Sequence, residues 1–410
     1  MRKFVALTLI QLGFLAACGG GGYTTGGSPP PTQMIATPGP PNVETLTVDA
    51  GPAGLPITDV NIAFVSVKVC APGSTTMCQT IDHIEVDTGS SGLRIMSSVL
   101  TVPLTAETDG TNPLAECLKF VDGSSWGSVA TADITLPVSG ETASNVHVQI
   151  IGDPNYPTVP STCPGPPVNT VNQFGANGIL GVGPYAEDCG PGCVGAVTPL
   201  NWYYSCPSPS TCAPANVALA LQVANPVARF GTDNNGVIVE LPAVGAAGAT
   251  TVSGSLVFGI GTRTNNALGS ATVLPEDLNT FFITATYKGT AYANGYLDSG
   301  SNANFFTDSS LTQCTSPSPN TGFYCQSPSM SESATLQGTT TTTLAAPFSV
   351  GDADTLFSAN LAYTAFSNLG GTNSDAMGLD LGLAFFYGRN VFTAIEGHSA
   401  SGTMGPYFAY

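Results

Sequence analysis

Two short motifs, far apart in the chain, each end an apolar run with an aspartate, a hydroxyl residue, a glycine and a serine. They are Val86-Asp87-Thr88-Gly89-Ser90 and Leu297-Asp298-Ser299-Gly300-Ser301. This placement would let each half of the chain supply one carboxylate to a shared site. Two carboxylates that share one proton can activate water for attack on a peptide bond. We therefore take Asp87 and Asp298 as candidate catalytic residues.

The residues that follow each aspartate are suited to bring two such loops together. Gly89 and Gly300 permit a tight turn in which two backbones approach without a clash of Cβ atoms. Thr88 and Ser299 can each donate a hydroxyl hydrogen bond to the backbone of the opposite loop. A single motif of this kind also occurs in ordinary turns, where the aspartate caps its own backbone, so the argument depends on the pair.

The serines that close the motifs, Ser90 and Ser301, are placed to donate to the outer oxygens of Asp87 and Asp298. Two carboxylates held this close cannot both ionise cheaply, so we expect the pair to hold one proton. The ionised member would remove a proton from water as general base, while the protonated member would polarise the scissile carbonyl. We expect no cofactor in this chemistry.

The length and composition indicate what kind of fold must position these loops. The chain has 410 residues, enough for two domains or one two-lobed body, and its 48 glycines and 32 prolines favour turns and short strands. Only 27 acidic and 9 basic side chains are present, which gives a net charge of -18. So few basic side chains cannot form a positively charged surface that binds phosphates. We therefore expect neither nucleic acid nor anionic lipid headgroups as partners.

The first residues have the features of an export signal. Arg2 and Lys3 precede an apolar run over 4–14, which ends in Leu15-Ala16-Ala17-Cys18-Gly19. This ending resembles the lipobox of bacterial lipoproteins, which implies a signal peptide over 1–17 and a lipid on Cys18. Gly19 then implies an outer membrane lipoprotein facing the periplasm or the cell surface, attached through its lipid only. An ordinary secretory signal with a chance cysteine is the alternative.

The next segment, 18–42, is rich in Gly, Ser, Thr and Pro and is predicted to be a flexible tether. Among the 11 cysteines, assigning Cys18 to lipid leaves ten, an even number suited to disulfides. Pairing nearest neighbours predicts the bridges Cys70–Cys78, Cys117–Cys163, Cys189–Cys193, Cys206–Cys212 and Cys314–Cys325. The alternative is a metal site, which we do not expect because no histidine lies at ligand spacing from a cysteine pair.

Apolar alternation predicts a mostly antiparallel, all-β protein with few short helices. Strands are predicted over 61–69, 80–86, 131–138, 145–151, 255–260 and 281–287. Helices are predicted over 217–223 and 352–358. The segment 314–346, rich in Ser, Thr and Pro, is predicted to be an exposed loop.

Further motifs accompany the two aspartates in a definite order. They are Phe120-Val121-Asp122-Gly123-Ser124, Asn177-Gly178-Ile179-Leu180-Gly181-Val182-Gly183, Gly254-Ser255-Leu256-Val257-Phe258-Gly259 and Leu381-Gly382-Leu383-Ala384-Phe385-Phe386. From about residue 56 to 410 this order resembles the pepsin-like aspartic peptidases, and it also resembles a poorly characterised group of bacterial lipoproteins. The resemblance implies a bilobal double-barrel fold with an active-site cleft between an N-terminal lobe, 43–265, and a C-terminal lobe, 266–410.

The same resemblance implies a hairpin flap over the cleft, with Phe120, Asp122, Gly123 and Trp126 near substrate. Phe120 stands where a tyrosine is usual, and Arg94 where a tryptophan is usual. Trp126 covers the cleft in their place or packs on a neighbouring strand. Arg94 pairs with an acidic substrate or, as we prefer, with a nearby carboxylate.

A third departure is Asp380, which takes an apolar position before Leu381-Gly382. It would raise the pKa of the dyad if buried nearby, or it points to solvent. The function that we expect is a monomeric, envelope-anchored aspartic endopeptidase acting on a peptide or unfolded protein. The alternatives are a catalytically inactive pepsin-like lipoprotein that binds a peptide or a cell-envelope partner, and a structural or adhesive surface lipoprotein.

Overall fold

The structure, a computed structural model, describes residues 33–56, 59–121 and 123–410. The predicted signal peptide, the predicted lipidation site Cys18, the first part of the predicted tether and Asp122 lie outside the described residues. Within these ranges the protein is all-β with a few short helices and barrel-like sheets, as predicted. No helix in these ranges is both long and apolar enough to cross a membrane.

The first part of the chain builds most of one large, mainly antiparallel sheet. Its strands are β1 (Val43–Val48), β2 (Ala63–Cys70), β3 (Cys78–Asp87), β4 (Ser91–Met96), β5 (Thr105–Ala106), β6 (Leu114–Lys119), β7 (Ser124–Thr135), β8 (Thr142–Ile151), β9 (Gly178–Val182), β10 (Tyr203–Ser208), β11 (Thr211–Pro214), β12 (Gly236–Leu241), β13 (Val252–Phe258) and β14 (Val273–Pro275). β-Branched residues on alternate positions give these strands an inward face; Val65, Val67 and Val69 of β2 are all buried.

The second part builds a separate seven-stranded sheet. Its strands are β15 (Ile283–Tyr287), β16 (Thr290–Leu297), β17 (Asn304–Phe305), β18 (Cys325–Gln337), β19 (Thr343–Asp352), β20 (Gly370–Gly371) and β21 (Gly378–Leu381). Four further strands follow: β22 (Arg389–Ala394), β23 (Ser399–Ala400), β24 (Thr403–Met404) and β25 (Tyr407–Ala409). β22 pairs with β12, and β25 pairs with both β22 and β14, so these late strands complete the first sheet.

Both halves repeat one local topology around the aspartate motifs. β3, which ends at Asp87, runs parallel to β9, and β9 is antiparallel to β4, the strand that follows the aspartate loop. In the second half, β16 ends one residue before Asp298 and runs parallel to β21, which is antiparallel to β17. The fold therefore presents the two loops from equivalent positions.

Helical structure is brief. The α-helices are α1 (Val171–Phe174), α2 (Ala353–Ala359) and α3 (Leu383–Phe386), and single 3-10 turns lie at Gly190–Cys193, Leu219–Leu221 and Val227–Arg229. α2 confirms the helix predicted over 352–358, and Asp352 caps it by accepting from the backbone of Thr355. The helix predicted over 217–223 shrinks to one 3-10 turn because the buried Gln222 side chain donates to Gly190 and Val217 instead.

Each predicted strand segment overlaps an observed strand, but the loop predicted over 314–346 was wrong. Most of it forms the long hairpin of β18 and β19. Ala334 and Leu336 are buried on β18 and lie opposite Ala346 and Leu344 on β19. Alternating small apolar residues within the Ser/Thr-rich sequence are enough to hold this hairpin on β15.

All five predicted disulfides are present: Cys70–Cys78, Cys117–Cys163, Cys189–Cys193, Cys206–Cys212 and Cys314–Cys325. Cys117–Cys163 joins β6 to the segment that precedes α1. At the other end of the body, Gln33 donates to the backbone of Leu241 and Arg389, and Ala36 donates to the Glu240 carboxylate. Residues 33–42 of the predicted tether are therefore attached to the first sheet.

Candidate active site

The two aspartate loops are joined to each other by reciprocal hydrogen bonds. The backbone N–H of Thr88 donates to Ser299 Oγ at 3.1 Å, and the backbone N–H of Ser299 donates to Thr88 Oγ1 at 2.9 Å. Each hydroxyl then donates to a strand carbonyl of the opposite half, Thr88 to Leu297 and Ser299 to Val86. Both side chains are buried, so these four bonds fix the two halves in register.

The glycines bring the carboxyl groups into contact. A Cβ atom added at Gly89 would lie 2.6 Å from Cγ of Asp298, and one added at Gly300 would lie 2.6 Å from Oδ1 of Asp87. The backbone N–H of each glycine donates to the carboxylate of its own loop, at 2.7 Å for Asp87 and 2.8 Å for Asp298. Any side chain at either glycine would displace the facing carboxylate.

The structure places Asp87 and Asp298 within hydrogen-bonding range of each other. Ser90 donates to Asp87 Oδ2, and Ser301 donates to Asp298 Oδ2 at 3.0 Å. Burial, followed by the charge of Asp87, raises the pKa of Asp298 well above its usual value. The pair therefore retains one proton at pH values where isolated aspartates have lost theirs.

A third carboxyl group stands behind this pair. Asp380, on β21, is 2% exposed, so it does not point to solvent, and the Ser301 hydroxyl lies within hydrogen-bonding range of it. Burial, and to a smaller extent the charge of Asp87, raises the pKa of Asp380 well above its usual value, while the Ser301 hydroxyl opposes this. Asp380 also raises the pKa of Asp298, after the contributions of burial and of Asp87, as expected for a buried carboxylate near the dyad.

The dyad lies in a cavity of about 700 Å³ between the two halves. Asp87 and Asp298 line it together with other polar residues, and both halves contribute aromatic side chains to its walls. The aromatic lining residues are Phe120, Tyr185, Trp202, Phe281, Phe282, Tyr296 and Phe408. Tyr185 and Phe281 stack with ring centroids 4.0 Å apart, which joins a wall residue of the first half to one of the second. The cavity can take an extended chain with large apolar side chains.

The hairpin of β6 and β7 overhangs this cavity. Phe120 lines the cavity, donates its backbone N–H to Gly123 O at 2.7 Å, and packs edge-on against Phe174. Val121 also lines the cavity and is 89% exposed at the tip. Gly123 lies against the backbone of Pro166, where a Cβ atom would stand 2.5 Å from the carbonyl oxygen. The hairpin tip is thus held from behind by the 164–168 segment.

Trp126 does not cover the cleft, contrary to one sequence-based expectation. Its side chain is 1% exposed, donates from Nε1 to Tyr156 O at 2.8 Å, and packs edge-on against Tyr204. Trp126 pairs with Cys117 across the β6–β7 hairpin and is absent from the cavity lining. It therefore stiffens the hairpin from its far side.

Arg94 pairs with nearby carboxylates, as preferred from the sequence. It is completely buried and contacts Glu116 at 2.7 Å and Asp188 at 2.8 Å. Tyr203 adds a hydroxyl that donates to Asp188 Oδ1 at 2.6 Å. Burial, and then the charge of Glu116, raises the pKa of Asp188, while Arg94 opposes this. The cluster joins β4, the hairpin strand β6 and the cavity-lining loop at Asp188.

Sequence reasoning missed Glu116, Asp188 and the cavity residue Tyr296. Glu116 interrupts the apolar run Leu114-Ala115-Glu116-Cys117-Leu118, and an acid in such a run signals a buried ion pair. Tyr296 lies on β16, two residues before Asp298, and strand alternation places it on the same face as the Asp298 side chain.

No arrangement among the described residues fits a resident metal ion. The nearest is the group of Cys314, Cys325 and Asp354, whose donor atoms lie within 4.8 Å of one another. Both sulfurs are joined in a disulfide and so offer no thiolate.

The fold and site define an all-β protein with two large sheets and a paired-aspartate cleft. Residues 38–410 match the family described as Protein of unknown function (DUF3443), and the chain belongs to that family. No curated protein matches the chain.

Proposed function

We propose that this protein is a pepsin-like aspartic endopeptidase in which Asp87 and Asp298 activate water. The observation that carries this proposal is the contact between the two carboxyl groups, one from each half, at the base of an open cavity. Four buried hydrogen bonds, made by Thr88 and Ser299 to the opposite half of the chain, hold that contact in place. A structural pair of buried acids would not need a cavity above it.

The chemistry needs only the groups of the dyad. The ionised carboxylate takes one proton from water, whose oxygen forms a bond to the carbonyl carbon, while the protonated partner donates to the carbonyl oxygen. Collapse of the resulting diol breaks the C–N bond: the carboxyl that took the water proton gives it to the leaving nitrogen, and its ionised partner takes a proton from a diol hydroxyl. The raised pKa of Asp298 supports its role as the member that starts with the proton, and Asp87 is then the base.

The cavity supports an extended peptide as substrate. Its aromatic walls come from both halves, and the overhanging hairpin places Phe120 and Val121 toward a bound chain. Burial of large apolar side chains contributes about 25 cal/mol per Å² of covered surface. Closure of the hairpin over the peptide would exclude water from the reacting carbonyl.

We also propose that Cys18 carries the lipid that anchors the protein to the outer membrane. Gln33 is the first described residue, and it is attached to the first sheet. About fifteen residues separate Cys18 from it, which allows a reach of at most about 50 Å when fully extended. The cleft would therefore work close to the membrane surface.

The proposal is tested with the chain from residue 19 onward, purified in oxidised form. Cleavage of an unfolded protein is measured between about pH 3 and about pH 7, with and without a statine-type inhibitor. Asp87→Asn and Asp298→Asn are compared with Asp354→Asn, a substitution on α2 away from the cavity. We expect both dyad variants to lose activity and the α2 variant to keep it. Cleavage by either the Asp87→Asn or the Asp298→Asn variant would contradict the proposal.

One observation favours the second candidate, a catalytically inactive protein that binds a peptide or envelope partner. Phe120 brings no hydroxyl to the cavity, so this hairpin residue makes no side-chain hydrogen bond to a bound chain. If the oxidised protein binds the statine-type inhibitor but cleaves nothing across the pH range, the binding function replaces the enzymatic one.

A further inference from the structure

Asp380 occupies a position behind the dyad that the proposed mechanism does not use. β21 runs parallel to β16, with Asp380 opposite Tyr296 and Leu381 opposite Leu297. The side chain is 2% exposed and does not line the cavity. Asp380 therefore faces the dyad from inside the second sheet and cannot contact a bound peptide.

Among the described residues, the Ser301 hydroxyl is the one group that would stabilise a negative charge on Asp380. Its Oδ1 atom is buried without a hydrogen-bond partner, and no ion pair among the described residues includes it. The titratable groups that act on it or respond to it are Asp87, Asp298 and the hydroxyl of Tyr296. On the other side, the β17 residue opposite Asp380 is Phe305, whose side chain has no titratable group. An ionised Asp380 would thus be a buried charge with one unpaired oxygen and no cation, compensated by a single hydroxyl at most.

The one polar contact of Asp380 is Ser301, and this contact has a direction. Ser301 Oγ has a single hydrogen, which it can give to Asp298 Oδ2, 3.0 Å away, or to Asp380; when it donates to Asp298, it presents only lone pairs toward Asp380. An ionised carboxylate would meet these lone pairs with repulsion. A neutral carboxyl group can instead donate its own hydrogen to them.

We propose that Asp380 stays neutral and donates its carboxyl hydrogen to Ser301, whose hydroxyl donates in turn to Asp298. Asp380 is then a positioning residue, since it acts on the dyad only through Ser301. A hydroxyl that accepts one hydrogen bond becomes a stronger donor in the next. The chain stabilises Asp298 most when that residue carries a negative charge, which happens after it has given its proton to the substrate carbonyl. This inference rests on the proposed function.

Two variants separate the neutral donor from an ionised neighbour. Asp380→Asn keeps the shape and an N–H donor for Ser301, so kcat and both limbs of the pH profile should stay within about threefold of the wild type. Asp380→Leu removes the donor and puts an apolar side chain of similar size in its place. We expect kcat to fall about tenfold with KM nearly unchanged, because the lost interaction is strongest in the transition state. If Asp380 were ionised, Asp380→Asn would move both limbs to lower pH, and the proposal would fail.

A double-mutant cycle tests whether the effect passes through Ser301. In a Ser301→Ala background, Asp380→Leu should cause no further loss of kcat, since the chain is already broken. Equal losses in both backgrounds, or no loss in Asp380→Leu alone, would overturn the proposal. A purely structural role would appear in the unfolding temperature and leave the kcat-to-KM pattern and the pH profile unchanged.

One measurement does not depend on activity or on the leucine variant. Carboxyl-labelled aspartates are followed by NMR during a pH titration, and the Asp380 signal is assigned by its loss in Asp380→Asn. We expect this signal to remain that of a protonated carboxyl group after the exposed aspartates of the chain have titrated. A signal that titrates near pH 4 would reject the inference. Absence of peptidase activity would reject the proposed function alone and leave this titration to decide the role of Asp380.

Discussion

Thr88 Oγ1 lies 2.9 Å from the backbone nitrogen of Ser299, and the same hydroxyl donates to Leu297 O at 3.1 Å. One buried hydroxyl therefore serves both a donor and an acceptor of the opposite half. Thr88→Val keeps the shape and removes both bonds, leaving a buried N–H and C=O unpaired. We expect the free energy of unfolding to fall by about 2–4 kcal/mol, measured by denaturant titration.

The control for this variant is Thr88→Ser, which keeps the hydroxyl and loses one methyl group. It should cost about 1 kcal/mol, the usual value for a buried methyl. Equal destabilisation by serine and valine would show that packing, and not the hydrogen bonds, holds the loops together.

Gly89 is expected to tolerate no side chain. Gly89→Ala would place Cβ 2.6 Å from Cγ of Asp298, so the two carboxyl groups must separate. We expect peptidase activity to fall by at least about 100-fold, because a displacement of 1 Å in a reacting group costs on this order. The matched control is Gly245→Ala, where the new Cβ meets nothing within 4 Å. An active Gly89→Ala enzyme would contradict the close approach of the loops.

Removal of Arg94 should leave the buried acids Glu116 and Asp188 without a positively charged partner. Arg94→Met leaves Glu116 and Asp188 without a cation, and we expect a loss of about 3–5 kcal/mol in unfolding free energy at neutral pH. Both acids would then fold best when protonated, so the variant should be less destabilised in acid. Adding Glu116→Gln and Asp188→Asn should recover most of the loss. Urea titrations at two pH values measure all three proteins, and a pH-independent loss would contradict this account.

Stability should be greatest between about pH 4 and about pH 5. Burial first, and then Asp233, raises the pKa of Glu141 to about 7, and burial raises that of Glu240 to about 7. A carboxyl whose folded pKa is raised binds its proton more tightly when folded, so its stabilisation is present below the unfolded value of about 4.5 and is lost as pH rises to about 7.

The opposite sign holds for acids whose pKa is lowered, such as Asp49, which His83 contacts, and Asp308, which Lys288 contacts. Their stabilisation is present above the unfolded value and is lost as pH falls below about 4. Calorimetric unfolding temperatures across the pH range should therefore pass through a maximum. Glu240→Gln should flatten the decline toward pH 7, and an unchanged slope in that variant would assign the decline to other groups.

The Cys117–Cys163 bridge should affect substrate binding more than folding. It closes a segment of 46 residues and ties the overhanging hairpin to the support behind its tip. Replacing both cysteines with alanine should raise KM severalfold with a smaller change in kcat, since the mobile hairpin orders only when peptide binds. The matched control is the Cys206–Cys212 pair, also replaced with alanine, which closes β10 and β11. Steady-state kinetics on one peptide substrate distinguish the two, and equal effects would contradict a special role for the hairpin.

The sequence was informative where function requires a residue type at a fixed point in a strand. Asp87 and Asp298 were found because short-range chemistry needs a glycine and a hydroxyl directly after each acid. Four disulfides were found because their cysteines are close in the sequence, and Cys117–Cys163 because these were the two cysteines that remained. The strands were found because one face of each is buried and side chains alternate.

What the sequence did not reveal depends on contacts between distant segments. Glu116 meets Arg94 only after β6, β7, β8 and β4 have paired, so no local pattern names it as the partner. Trp126 and Phe120 lie on one hairpin, but the segment behind the hairpin decides which of them faces the cavity. The β18–β19 hairpin looked like a loop because its exposed face is Ser and Thr, and its support comes from β15.

The pairing of β22 between β12 and β25 bears on the timing of biosynthesis. Until residues 389–409 have emerged, β12 presents an open edge and the first sheet lacks the strands that join it to the segment 273–275. The first sheet, to which both halves contribute strands, is therefore completed only when these late strands have been made. A chain interrupted before them would carry both aspartates and still lack the strands that complete the first sheet, so we expect the paired-aspartate site to form only after residues 389–409 have been made.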